Sequence, residues 1–238
     1  MASPLKPSIE QALRERAERN LGSLVIAIEF TLISVMVGVI LFPLMDFATP
    51  ILRDLKFEYM LYIVSGLVLI LYLWTEVIAH SLSFIGWPID IFHNLLYIVF
   101  AMVLAIQMHF LQDPLGWYAM TAVSAMLGAT IVYYDLRIIE ERRKGTSGQA
   151  ATSLFDTAWQ RQHALLRTAP FTIGNALLQV ALVFFLPIIF IEYKAHLVLI
   201  IIQIGGFIFL LRRTITAFKG ERETIVQKAI EELASEQE

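Results

Sequence analysis

The chain contains six long apolar blocks, and this feature limits its fold more than any other. The blocks lie at about residues 23–45, 58–80, 90–111, 117–135, 171–191 and 195–211. A helix of about 20 apolar residues is long enough to cross the ~30 Å hydrocarbon layer of a membrane. Each spanning block must be helical, because an isolated strand would leave its backbone N–H and C=O groups unpaired in lipid. We therefore predict an all-α, polytopic six-transmembrane-helix bundle that lies in a lipid bilayer.

Composition agrees with this prediction and excludes several kinds of site. The chain is 58% hydrophobic and 16% charged, whereas soluble domains carry about 25% charged residues. Its net charge is −3 and it has no basic tract, so we predict no nucleic-acid partner. Because there is no cysteine, disulfides, thiolate metal sites and a cysteine nucleophile are excluded.

The positions of Lys and Arg predict how the chain is oriented. Of the 18 Lys and Arg residues, four precede the first block, six lie in the 136–170 loop and five follow the last block. Only Arg53, Lys56 and Lys194 lie in the loops on the other side. Since cytoplasmic loops are enriched in Lys and Arg, we predict a multi-pass protein of the cell membrane with both termini in the cytoplasm (N-in, C-in).

Three segments outside the spans also have helical patterns. Residues 1–22 are predicted to form a cytoplasmic N-terminal helix, residues 23–211 the transmembrane domain, and residues 212–238 a cytoplasmic C-terminal helix. Residues 153–167 are predicted to form an amphipathic helix in the cytoplasmic interface, with apolar residues on one face and Arg on another. An apolar stripe in the C-terminal segment favours either pairing between copies or docking of the tail on its own bundle, and we predict a homo-oligomer.

Ionisable residues concentrate at one turn of this apolar chain. Glu76 and His80 end the second span, and His93 lies at the start of the third, so the predicted topology puts them on the cytoplasmic side. Ionisable side chains in a span cost at least ~2.5–3.5 kcal/mol near its centre, so they usually face the bundle interior or water. We predict a cavity that faces the cytoplasm and is lined by Glu29, Tyr72, Glu76, His80, Asp90, His93, Asn94 and Asn175.

Two interpretations of this cluster need no cofactor. In the first, Glu76 pairs with His80 one helical turn away and Asp90 caps the third span. In the second, the acidic cavity concentrates cations and its histidines make it pH-sensitive. That interpretation is our leading hypothesis, a small oligomeric ion channel or transporter for an ion or small solute.

A third interpretation is a site for a divalent metal. Its candidate ligands would be Glu29, Glu76, His80, Asp90 and His93. Helix bundles build metal sites from such carboxylates and imidazoles. A bound metal could polarise water in a metal-dependent membrane enzyme, or be an ion that the protein transports. The Glu-x3-His spacing differs from the Glu-x2-His of carboxylate bundles, so the cofactor stays open and the enzyme is less favoured. A non-catalytic membrane assembly partner is a further alternative.

Overall fold

The computed structural model describes the backbone of residues 7–83, 91–145 and 149–235. It also describes most side chains of residues 27–79, 91–144 and 156–220. The side chains of Glu29 and His80, and the whole of Asp90, lie outside the described residues. Nearly all of the described chain is helical, and these ranges contain no strand.

Six α-helices follow each other along the described chain. They are α1 (Pro7–Arg53), α2 (Phe57–Ser83), α3 (Ile91–Met108), α4 (Pro114–Gly145), α5 (Gln149–Phe185) and α6 (His196–Ser235), with a π-helical turn at Ile188–Glu192 between the last two. Each α-helix contains a segment that is long and apolar enough to cross a membrane. The predicted all-α class is confirmed, and the six helices fit a multi-pass membrane protein.

Three of the helices continue beyond the predicted spans. The N-terminal helix and the first span form the single helix α1, the 153–167 segment and the fifth span form α5, and the sixth span and the tail form α6. A count of apolar residues predicts where a helix leaves the hydrocarbon layer of the membrane. The helix itself ends only where its backbone hydrogen bonding is interrupted. Pro43 and Pro170 lie inside helices, which is common in membrane spans because neighbouring groups satisfy the freed backbone atoms.

The three short connections meet at one end of the bundle, which we name the hairpin end. The Lys56 ammonium donates a hydrogen bond to the Gln112 side-chain oxygen, 2.9 Å away, which joins the α1–α2 and α3–α4 connections. Lys194, in the α5–α6 connection, forms an ion pair with Glu58 at the start of α2. We name the opposite end the tail end. Because α2, α4 and α6 all begin at the hairpin end, they run parallel to one another.

The buried core lies in the half of the bundle nearer the hairpin end. Tyr62, Met108 and Trp117 are fully buried there. At Gly66, an added Cβ would lie 3.1 Å from the Met108 sulfur, so the absence of a side chain leaves room for the Met108 side chain of α3. Large apolar side chains such as Phe42 and Phe171 are exposed around the bundle, as expected of a surface that contacts lipid.

Candidate functional site

The polar side chains of α2 lie along the face that packs inside the bundle. Ser65 and Leu69 are buried, and Tyr72 and Glu76 are partly buried. Their spacing of three and four residues places them on one face of the helix. The Tyr72 ring stacks on Phe207 of α6, with ring centroids 6.5 Å apart and an angle of 14° between the planes. The polar face of α2 is therefore directed toward α6.

Glu76 is part of an ion-pair cluster that joins three helices near the tail end. The Arg161 guanidinium of α5 donates a hydrogen bond from Nη2 to Glu76 Oε2 at 2.9 Å. The Thr214 hydroxyl of α6 donates to the other carboxylate oxygen. The Arg161 and Glu76 side chains are only 11% and 16% exposed. The carboxylate of Glu76 is thus neutralised by an arginine from the segment that the sequence assigned to an interfacial helix.

His93 lies in a second buried contact at the same end. Its Nε2 atom is 2.8 Å from Oδ1 of Asp135 on α4, and the two side chains are 6% and 2% exposed. The ring of Tyr97 packs edge-on against His93, and the ring of Tyr134 stacks on it. Asp135 was not among the residues predicted to line the cavity, although it ends the fourth apolar block.

For two other residues predicted to line the cavity, the structure shows only how exposed they are. Asn94 is partly buried beside His93, whereas Asn175 is exposed on α5. The side chains of Glu29 and His80, and Asp90 itself, lie outside the described residues. Within the described ranges, no three His, Asp or Glu side chains lie close enough to hold a metal ion. The metal site and the cavity lining as a whole therefore stay predictions.

Neutral side chains form a buried hydrogen-bond network nearer the hairpin end. Trp117 Nε1 donates to Gln203 Oε1 at 3.0 Å, and Gln203 Nε2 donates to the Thr121 hydroxyl at 3.1 Å. Gln107 Nε2 donates to the same hydroxyl at 2.9 Å, and the Ser124 hydroxyl donates to Gln107 Oε1 at 3.2 Å. These contacts join α3, α4 and α6. We name these five residues the amide network.

A histidine and two tyrosines form a second buried group near the hairpin end. His196 Nδ1 is 2.8 Å from the Tyr62 hydroxyl. The Tyr118 hydroxyl donates a hydrogen bond of 2.8 Å to the backbone carbonyl of His196. His196 is 3% exposed, and Tyr62 and Tyr118 are fully buried. The start of α6 is thereby fixed against both α2 and α4.

A cleft of about 420 Å³ opens at the hairpin end above these rings. It is lined by Glu58, Tyr59, Gln112, Asp113, Pro114, Leu115, Ile191, Lys194 and His196. The ion pair between Lys194 and Glu58 lies across it. The hydrogen bond to Glu58 raises the pKa of the Lys194 ammonium above its usual value. Lys194 therefore stays charged throughout the physiological pH range.

The cleft, the two groups of hydrogen bonds and the Glu76 cluster follow one another along α6 from the hairpin end to the tail end, and we name them together the polar seam. Glu58 and Glu76 are 18 residues apart on α2, which corresponds to about 27 Å at 1.5 Å per residue. This length matches the ~30 Å thickness of the hydrocarbon layer. The sequence indicated the tail-end part of the seam only. The hairpin-end part had a signal, since Trp117, Thr121 and Ser124 recur at helical spacing and face two glutamines.

Comparison of the chain with protein-family models, with curated proteins and with solved structures gave no match.

Proposed function

We propose that the protein is a membrane transporter that carries a small cation along the polar seam. The observation that carries this proposal is that a carboxylate in an ion pair lies near each end of the seam. Glu58 lies in the cleft at one end, and Glu76 lies about 27 Å away near the other. A carboxylate at each end would attract a cation and stabilise it as it loses water.

Both carboxylates are occupied by a cationic side chain of the protein itself. Lys194 contacts Glu58, and Arg161 contacts Glu76. A cation that enters either end must displace the basic side chain before it can bind the carboxylate. Because each basic residue belongs to a different helix or connection from its acid, breaking the pair also loosens a contact between those elements. Two separable contacts, one at each end, are what alternating access requires.

The middle of the seam supports a transporter more than an open channel. The amide network supplies oxygen atoms that can replace part of the hydration shell of a cation. Toward the tail end, the stacked rings of Tyr72 and Phe207 lie between this network and Glu76. The two rings would have to move apart before a cation could pass. Cation flux would therefore require a change in helix packing.

The proposal is tested by flux into liposomes that contain the purified protein. We expect uptake of at least one of four probes, namely protons, Na⁺, Rb⁺ and methylammonium, above that of protein-free liposomes. Glu76→Gln should reduce this uptake at least tenfold, because a neutral amide cannot replace the carboxylate as a cation ligand. Glu141→Gln is the matched control, since the side chain of Glu141 is 62% exposed in a pair on the surface of α4.

Correct folding of each variant is checked by size-exclusion chromatography and circular dichroism before reconstitution. The proposal is overturned if folded wild-type protein transports none of the four probes between pH 5 and 8. It is also overturned if Glu76→Gln and Glu141→Gln reduce the uptake equally.

A further inference from the structure

Asn175 is an exposed amide deep in the apolar segment of α5. This segment runs from Ala158 to Phe185, so Asn175 lies 17 residues from one end and ten from the other. At 1.5 Å per residue these distances are about 25 Å and 15 Å, which places Asn175 well inside a hydrocarbon layer of ~30 Å. Three other amide residues of the spans are buried in the bundle, namely Gln107, Gln179 and Gln203.

An amide in hydrocarbon costs free energy unless its donor and acceptor are bonded, because lipid tails offer no partner. Two exposed hydroxyls of the spans are bonded within their own helices. Thr130 and Thr172 each donate to a backbone carbonyl four residues earlier, at 3.0 and 3.2 Å. The Asn175 side chain makes no hydrogen bond to the described residues. Its donor and its acceptor are therefore available to a second molecule.

The residues around Asn175 form a face of α5 that the chain leaves uncovered. Phe171, Leu178 and Phe185 are 81%, 55% and 73% exposed, and their spacing of seven residues returns them to nearly the same side of the helix. An added Cβ at Gly174 would meet no atom within 4 Å, so a second helix can approach the backbone there. We name Phe171, Gly174, Asn175, Leu178 and Phe185 together the α5 face.

Burial along the chain also indicates that α5 lacks a covering element. Of the most apolar stretch of α5, 17% is buried, compared with 28% for the corresponding stretches of α1, α2, α3 and α4. Exposed apolar side chains alone are satisfied by lipid. The α5 face differs because it adds an amide that lipid cannot satisfy and a glycine that permits close contact. In membranes, helix association is driven by such interhelical hydrogen bonds and small residues.

We propose that the α5 face binds the α5 face of a second copy of this chain, with Asn175 hydrogen-bonded to Asn175 of the partner subunit. Two copies with the same orientation in the membrane are related by a two-fold axis along the membrane normal. Their α5 helices then run parallel, and the two amides lie at the same depth. Because an amide side chain has both donors and an acceptor, each satisfies the other. One Asn in an apolar seven-residue repeat also fixes the register of a parallel helix pair.

The first test is cross-linking of single-cysteine variants in native membranes with copper phenanthroline, a membrane-permeant oxidant. The chain has no cysteine of its own, so every cross-link involves the introduced thiol. Leu178→Cys should give a product of twice the mass of the chain. Ile106→Cys, on the exposed surface of α3, should give no more product than the cysteine-free wild type.

Ile106 is a matched control because it lies at nearly the depth of Leu178. The Trp159 indole of α5 donates to the carboxylate of Glu140 on α4. These two helices run in opposite directions, and 19 residues further along α5 lies Leu178, whereas 19 residues back along α4 lies Thr121. Thr121 accepts a hydrogen bond from Gln107, the neighbour of Ile106.

The second test is self-association of the full-length protein in liposomes, measured by fluorescence energy transfer as the protein is diluted in lipid. Asn175→Leu should weaken association about tenfold, the loss expected for two interhelical hydrogen bonds in lipid. Thr130→Val is the matched control, because it removes an exposed polar group that is bonded within its own helix. Its association should equal that of the wild type. Since Asn175 is exposed, both variants should fold, which circular dichroism checks.

The inference is overturned if the wild type is monomeric at every dilution or if Asn175→Leu associates as well as the wild type. It is also overturned if Leu178→Cys gives no more cross-linked dimer than Ile106→Cys, as it would if only lipid covered the face. A product of another mass, formed in place of the dimer, would identify a different protein as the occupant and overturn it as well. Self-association does not depend on transport, so loss of this inference leaves the transport proposal intact.

Discussion

Replacement of Arg161 by methionine should destabilise the bundle far more than loss of an exposed ion pair. The Arg161 and Glu76 side chains are 11% and 16% exposed, and their nearest polar atoms are 2.9 Å apart. At an effective dielectric constant of about 20, two unit charges about 4 Å apart attract each other by ~4 kcal/mol. Thr214 would still donate its hydrogen bond to the carboxylate, so part of this energy is retained. We expect Arg161→Met to lower the free energy of unfolding by about 2–3 kcal/mol.

A double-mutant cycle separates the ion pair from other contacts of Arg161. Glu76→Gln alone leaves the guanidinium without its counter-charge, and we expect a loss of about 2 kcal/mol. The combined Glu76→Gln and Arg161→Met variant removes both charges. Its loss should be at least ~1.5 kcal/mol smaller than the sum of the single losses, since neither charge is left buried alone.

The measurement is unfolding of purified protein in mixed micelles as the mole fraction of sodium dodecyl sulfate rises, followed by circular dichroism. Arg137→Met is the matched control, because Arg137 pairs with Glu141 one turn away at 3.1 Å and both side chains are more than 60% exposed. This control should cost no more than ~0.5 kcal/mol. Equal losses for Arg161→Met and Arg137→Met, or full additivity in the cycle, would refute the assignment of a buried coupled pair.

Two further predictions concern packing near the hairpin end. Gln203→Leu should cost about 1–3 kcal/mol, because it leaves the buried Trp117 N–H without an acceptor; unfolding in detergent measures the loss, and an unchanged stability would contradict it. Gly116→Ala should cost about 1–3 kcal/mol by overpacking, since the new Cβ would lie 2.2 Å from a carbon of the Phe110 ring. Gly38→Ala is its control, because nothing lies within 4 Å of the added atom, and thermal unfolding should show no loss there.

The membrane-spanning helices could be predicted because a single local property, a block of about 20 apolar residues, determines them. Helix continuity could not be predicted in the same way. The sequence placed the end of the sixth span at Leu211, before the Arg212–Arg213 pair, whereas the apolar segment of α6 extends to Gly220. Because α6 continues past Leu211, it carries Thr214, whose hydroxyl donates to Glu76. The pattern of apolar blocks does not predict this contact.

The partners of the ionisable residues could not be predicted, because they depend on which helices are neighbours. The sequence offered His80 as the partner of Glu76 one turn away. In the structure Glu76 bonds to Arg161, which is 85 residues further along the chain. The sequence places His93 at the start of the third block and Asp135 at the end of the fourth. Only the packing of α3 against α4 brings the two side chains to 2.8 Å.

The amide network was missed for a different reason. Gln107 and Gln203 are isolated polar residues in otherwise apolar blocks, and Trp117 only marks the start of the fourth block. Their common location follows from the parallel arrangement of α4 and α6. A search for buried sites that considers only ionisable residues overlooks such neutral networks.

The amide network also implies an order in which its hydrogen bonds form while the chain is being synthesised. Gln107, Thr121 and Ser124 belong to one pair of consecutive helices, so they can bond as soon as that pair enters the bilayer. The partners of Trp117 and Tyr118 lie on α6, which leaves the ribosome last of the six. Until then, the indole N–H of Trp117 lacks the acceptor that it has in the complete bundle. An incomplete bundle thus exposes an unpaired hydrogen-bond donor that membrane quality control could recognise.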